Sequence, residues 1–169
     1  MSKAKPKQLI IADTGPLIAL AIMDLLPVLN LLYDKVLVPD AVIKECSNDL
    51  SKPQSSKINQ AINDNFLTQA SVIDKDHCSL LEEVLDQGEA EAITLAIQLN
   101  AVVLLDEKIG RKIAQREGMK VVGSLFILIK AKQVKYIPSA APLLDKLKLH
   151  GYYMSDSLVR KVLEVCNEI

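Results

Sequence analysis

The sequence predicts an α/β fold, a parallel sheet with helices on both faces and further helices at the C-terminus. Two apolar runs without alternation, residues 9–12 (LIIA) and 101–105 (AVVLL), suit strands buried on both faces. Such runs alternate along the chain with amphipathic segments of about 10 residues, the pattern of strand–helix–strand units. Two of the strands also end on an aspartate, Asp13 and Asp106, placing a carboxylate at the carboxyl edge of an open sheet, where ligands bind in such folds.

The first strand, residues 9–12, is broken by Gly15 and Pro16, and Pro16 suits the first turn of a helix over 17–25. Residues 25–33 form a second helical piece with Pro27 in its first turn. Residues 35–38 (KVLV) are the second strand, stopped by Pro39. Pro39 and Asp40 open a helix with Val42, Ile43 and Cys46 on its apolar face and Glu45 beside them. Residues 56–66 carry Ile58, Ala61, Ile62 and Phe66 at helical spacing, and 70–73 reads as a short edge strand. An amphipathic helix over 77–85 is closed by Gly88, and a second over 89–100 buries Ala92, Ile93, Ala96, Ile97 and Leu99. The strand at 101–105 leads to a helix over 107–117, closed by Gly118, and to a last short strand at 120–122. Residues 123–132, 140–149 and 155–167 are three more helices. The last has Ser155 and Asp156 as N-cap candidates and a wide stripe of Leu158, Val159, Val162, Leu163 and Cys166, which calls for burial. The expected organisation is a flexible arm at 1–7, a main α/β domain at 8–137 and a helical extension at 138–169 packed on it.

At 169 residues and 50% hydrophobic content, the chain suffices for one domain with a sizeable core. Twenty Lys and Arg against 21 Asp and Glu leave a net charge of −1, so no global basic field advertises nucleic-acid or membrane binding. A polyanion must be met by a local patch or through metal ions. Cys46, Cys78 and Cys166 are odd in number and in no CxxC pair, which encodes neither a disulfide framework nor a zinc site and points to a reducing cytoplasm. The apolar run after the basic start is too short for a signal or a membrane span, so a cytoplasmic protein without a membrane partner is expected.

Four acids stand out: Asp13 and Asp106 at strand ends, Glu45 and Glu89 near the starts of helices that follow the sheet edge. Neighbouring strands would bring them to one notch. Glu89 shares the stripe of Ala92, Ile93 and Ala96, whereas Glu91 lies about 200° round the helix and is expected to face solvent. Carboxylates gathered without a basic partner repel one another, and a cation relieves the repulsion. Oxygen ligands with His77 and His150 as singletons select Mg²⁺ or Mn²⁺ over zinc, and such a site activates water for in-line displacement at a phosphodiester.

Each residue also has a plainer reading. Asp13 is a candidate helix cap, Glu45 a solvated residue, and Glu91 and Glu107 surface acids. Lys108, Arg111 and Lys112, three and four residues apart, are either phosphate contacts or a solvated helix face. Tyr152 and Tyr153 read as core or interface aromatics, with no base-stacking platform adjacent. Asp13-Thr14-Gly15 also matches an aspartic-protease triplet, which requires an all-β chain; a phosphoacceptor domain requires paired acids after the first strand and a late lysine, neither evident here.

The stretches IIADTGPLIAL, VPDAVIKE, GEAEAITLA and VVLLDEKIGRKIA, in that order, resemble PIN-domain ribonucleases. The GEAEAI and LLDEKIGRKIA versions and the C-terminal PLLDKLKLHGYYMSDSLVRKVL are similar to the DUF3368 branch. The resemblance spans nearly the whole chain. It implies a three-layer α/β/α PIN-like fold and a metal-dependent endoribonuclease, with Asp13, Glu45, Glu89 and Asp106 binding Mg²⁺ or Mn²⁺. Thr14 would help hold the site, and Thr14, Lys108, Arg111 and Lys112 are the candidate RNA contacts. Many such nucleases have an aspartate at the third acid position, where this chain offers Glu89 and Glu91. Similar proteins are frequently toxins of toxin–antitoxin pairs, which implies a small antitoxin partner and a homodimer. The alternative is a PIN-like domain that no longer cuts and serves as a nucleic-acid- or protein-binding module.

Overall fold

A computed structural model describes residues 8–169; the arm expected at 1–7 lies outside the described residues. Within it the chain alternates strands and helices: β1 (Leu9–Ala12), α1 (Thr14–Ile22), α2 (Leu26–Leu32), β2 (Lys35–Pro39), α3 (Asp40–Ser47), α4 (Pro53–Asn63) and β3 (Thr68–Ala70). There follow α5 (Lys75–Glu82), α6 (Gln87–Leu99), β4 (Val102–Leu104), α7 (Lys108–Arg116), β5 (Val121–Val122), α8 (Ser124–Gln133), α9 (Ala141–Leu149) and α10 (Asp156–Val165). All strand pairs are parallel, in the order β3-β2-β1-β4-β5.

The unalternating apolar strands are explained by the two cores they feed. Successive side chains of a strand point to opposite faces. Ile10, Ala12, Val36, Val38, Val102 and Leu104 enter one core, with α1, α2 and α8, while Ile11, Leu37 and Val103 enter the other, under α5 and α6. This is a three-layer α/β/α fold. Ala140, Leu144, Leu147, Val162 and Cys166 from the last two helices join the first of these cores. Glu168 fastens the chain end there: its carboxylate accepts hydrogen bonds from the Ala140 and Ala141 N–H groups, the Ser139 hydroxyl and Lys132. Burial works against ionisation at Glu168, yet these donors pull its pKa down to about 2.

Several local expectations shift. The fourth helix runs from Pro53 to Asn63 rather than over 56–66, because Pro53 suits a first turn and Asn65 takes a left-handed φ of 61°. Phe66 therefore leaves the helical stripe and is 54% exposed. The edge strand is Thr68–Ala70, not 70–73. Gly88 does not close α5 but lies inside the first turn of α6. Of the stripe expected on the last helix, Val162 and Cys166 are buried and Val159 and Leu163 pack against the core, while Leu158 is exposed. Among the described residues no single helix is long and apolar enough to cross a membrane.

Candidate active site

β1 lies at the centre of the sheet, between β2 and β4. Asp13 continues its ladder by one bond, donating its N–H to the Leu104 carbonyl at 3.2 Å, and then occupies the N-cap position of α1. Its side chain makes no capping hydrogen bond, which removes the plain reading of a helix cap. The carboxyl is only 7% exposed. Burial first, and then the charges of Asp86, Glu89 and Glu45, push its pKa from 3.8 up to about 7, against the favourable Thr14 N–H.

Glu45, on α3, is aimed by Thr14, whose hydroxyl donates to Oε2 at 2.8 Å. Its other oxygen and Asp13 Oδ1 lie 3.0 and 3.2 Å from the point where a Cβ on Gly88 would sit. A glycine inside a helix costs roughly 1 kcal/mol relative to alanine. Here its missing side chain leaves a space that both carboxylates border.

Glu89, one residue on, is 5% exposed. With Asp86 it forms a capping box at the start of α6: Glu89 N–H donates to Asp86 Oδ1 at 2.8 Å and Asp86 N–H to Glu89 Oε2 at 3.3 Å. The remaining oxygen, Oε1, is buried without a hydrogen-bond partner and lies 3.2 Å from the Cβ position of Gly110 on α7. Burial and then Asp86 raise the Glu89 pKa, with Glu107 adding to it. Asp86 was not among the candidates from sequence. Its signal was the spacing of Asp86 and Glu89, an acid three residues before a glutamate at a helix start.

Glu91 does not face solvent as expected. Its Oε2 accepts the Ala41 N–H at 2.8 Å, tying α6 to the first turn of α3. Of the two glutamates, Glu89 is the one whose charge acts on Asp13. Glu107 is exposed at the N-cap position of α7, with no side-chain cap bond.

Asp106 ends the neighbouring strand but meets different partners. Its Oδ1 accepts the Ser124 N–H and its Oδ2 the Ser124 hydroxyl, both at 2.8 Å, so it anchors the first turn of α8. Arg111 donates to the Leu105 carbonyl at 2.7 Å, and its Nη1 and Asp106 Oδ1 each lie 2.9 Å from the Cβ position of Gly123. Two expectations change: the acids are not without a basic neighbour, and Arg111 is a half-buried bracing residue rather than a free phosphate contact. Lys108 and Lys112 remain exposed on α7. Ser124 was also missed; the serine beginning a helix just after a strand and a glycine was its only trace.

Among the described residues no three His, Cys, Asp or Glu side chains are close enough to form a ready-made metal cage. What the structure brings together is Asp13 and Glu45 bordering Gly88, with the buried Glu89 next along α6 and Asp106 at the adjoining strand end. The donor set is carboxylate oxygen throughout, and Glu89 Oε1 is an orphaned buried acceptor. Such a set fits a hard divalent cation.

The fold and the acidic edge are those of an α/β domain that gathers carboxylates at the carboxyl end of its central strands. The chain belongs to the PIN-domain family: the DUF3368 PIN-domain profile matches residues 9–168. PIN domains are typically nucleases and usually use divalent metal ions. Among solved structures the chain is similar to a PilT N-terminus domain protein from the hyperthermophilic archaeon Sulfolobus solfataricus P2, with 18% identity and a TM-score of 0.52. The likeness covers 73% of this chain and 93% of that one and concerns the fold. No curated protein matches the chain.

Proposed function

We propose that the protein is a Mg²⁺- or Mn²⁺-dependent endoribonuclease acting at the carboxyl edge of β1 and β4. The observation that carries this reading is that Asp13 and Glu45 each bring a carboxylate oxygen to within 3.2 Å of the Cβ position of Gly88, while the adjacent Glu89 keeps a buried Oε1 without a hydrogen-bond partner. Asp13, Glu45 and Glu89 would hold the cation, with Asp106 at the far side of the notch. When bound, a divalent cation supplies Lewis acidity and neutralises charge for attack of water on a phosphodiester. Thr14 orients Glu45, and the capping box holds one oxygen of Glu89 while the other lies buried against Gly110 of α7 without a hydrogen-bond partner. Asp13 takes up a proton near neutral pH when no cation competes for it. Lys108 and Lys112 surround the N-terminal turn of α7, where the helix dipole also favours an anion, and this suits an RNA phosphate.

Purified protein incubated with single-stranded RNA and Mn²⁺ should cleave it, and Asp13→Asn should not; equal activity in both would sink the assignment. We also propose a cytoplasmic toxin role, with a small antitoxin partner and a homodimeric state. Induced expression should arrest growth with the wild type and not with Asp13→Asn, and light scattering in solution gives the oligomeric state. One observation favours a second reading, a PIN domain that binds without cutting: both oxygens of Asp106 are already taken by Ser124. Under that reading RNA or a protein partner is retained while no cleavage occurs with any divalent metal.

A further inference from the structure

A second cleft, of about 330 Å³, opens directly beside the acid pair and shares Glu45 with it. Ile18 of α1 contributes to its apolar wall, Asp49 and Lys52 enter from the loop between α3 and α4, and His150 and Tyr152 from the segment after α9. We infer that this cleft is the subsite for the nucleotide next to the cut phosphodiester, with Tyr152 stacking the base, His150 meeting the base edge and Lys52 taking a phosphate. The inference rests on the ribonuclease reading and assigns it a specificity pocket.

Three features of the cleft carry it. Tyr152 is half-buried and packed against the main core, so its ring is held in place rather than free to swing. The ring lines the cleft together with Glu45 and Ile18, so one of its faces is open to that space. An aromatic face fixed there is a stacking platform that the order of residues 150–153 did not disclose.

His150 follows from hydrogen-bond chemistry. Its Nδ1 lies 2.9 Å from the Lys146 carbonyl, an oxygen that only accepts, so Nδ1 carries the proton. In the neutral tautomer that this bond selects, Nε2 is the acceptor, open to a donor such as a base amino group. Gly151, at a φ of 88°, turns the chain between His150 and Tyr152 so that both reach one cleft.

Lys52 is exposed and forms no ion pair among the described residues. Asp49, the acid beside it, is occupied by the Ser51 N–H and hydroxyl. The cleft thus offers a fixed ring, an acceptor and a cation next to the carboxylate that the proposed chemistry uses.

The test combines cleavage kinetics with photo-crosslinking. In the Mn²⁺ assay, Tyr152→Ala should raise KM roughly tenfold with kcat little changed, while Tyr152→Phe stays near wild type. Lys52→Ala should raise KM and lower the log–log salt dependence of binding by about one. Short 4-thiouridine RNAs irradiated with the Asp13→Asn protein should label the peptide containing residues 150–153. A normally folded Tyr152→Ala protein with an unchanged KM, or labelling confined to other peptides, overturns the inference. If the wild type cuts no RNA, the ribonuclease reading falls and the crosslink decides the subsite alone: label on 150–153 retains it and its absence removes it. Thermal melting of each variant separates a lost contact from a lost fold, and His150→Ala, which removes an exposed side chain, should weaken base preference at the cut.

Discussion

Asp13 and Asp106 begin from the same local sequence plan, an apolar strand ending on an aspartate, and finish in opposite environments. Asp13 is buried among other acids with its pKa pushed up to about 7. Asp106 is exposed, and each of its oxygens accepts a hydrogen bond from Ser124 with Arg111 close by. Burial raises the free energy of an unpaired charge, whereas two donors satisfy it. The first side of the notch therefore holds unrelieved charge that a cation would relieve, and the second holds α8 in position.

The largest expected effect comes from Asp13. Its folded-state pKa is raised above 3.8, so the native state binds more protons than the unfolded chain between about pH 4 and 7, and stability falls as pH rises through that window. The loss for the metal-free protein amounts to as much as about 4 kcal/mol. Urea titrations from pH 4 to 8 should show this slope in the wild type and a much flatter one in Asp13→Asn, whose metal-free form is the more stable at pH 8. The same variant should lose Mn²⁺-dependent cleavage, by more than the 10- to 100-fold typical of groups outside the ligand shell.

Next is Gly88→Ala. A methyl group there meets Glu45 Oε1 at 3.0 Å and Asp13 Oδ1 at 3.2 Å, so the pair must spread. Helix propensity favours alanine by roughly 1 kcal/mol, which offsets the crowding in the metal-free protein. The discriminating measurement is the rise in Tm on adding Mn²⁺: about 2.7 kcal/mol of stabilisation at 100 times Kd in the wild type, and much less in the variant at the same concentration. A full response in Gly88→Ala would show that the pair is not where the cation binds.

Ser124→Ala tests the opposite side. It removes the hydroxyl from Asp106 Oδ2 while keeping the N–H bond to Oδ1, and should cost about 1–2 kcal/mol in chemical denaturation. If Asp106 joins the cation site only by leaving Ser124, this variant should bind Mn²⁺ at least as tightly as the wild type. The smallest effect is expected from Asp86→Ala. Loss of the capping box costs about 1 kcal/mol, and removal of one acid lowers the pKa of Asp13 and Glu89, so the stability slope moves to lower pH. An unmoved slope would mean that burial alone sets it.

The sequence by itself determined the sheet and the positions of the acids. Runs such as LIIA and AVVLL have no polar face to present to water, so they could only be central strands, and an aspartate directly after each had to fall at the carboxyl edge. Helical periodicity put Glu89 on the side of α6 that meets the sheet, where it is buried, because the apolar stripe shows which side that is, but it did not disclose that Glu91 ties α6 to α3. Only the tertiary structure decided which acids are satisfied. Whether Asp106 meets Ser124, whether Glu91 meets Ala41 and whether Tyr152 comes beside Glu45 depends on contacts between segments 18, 50 and more than 100 positions apart. Local pattern carries no record of such partners, since a carboxylate's hydrogen bonds and burial are set by whatever the fold brings against it. Gly88 illustrates the divide: in sequence it looked like the end of a helix, and in three dimensions it is the clearance that two carboxylates border.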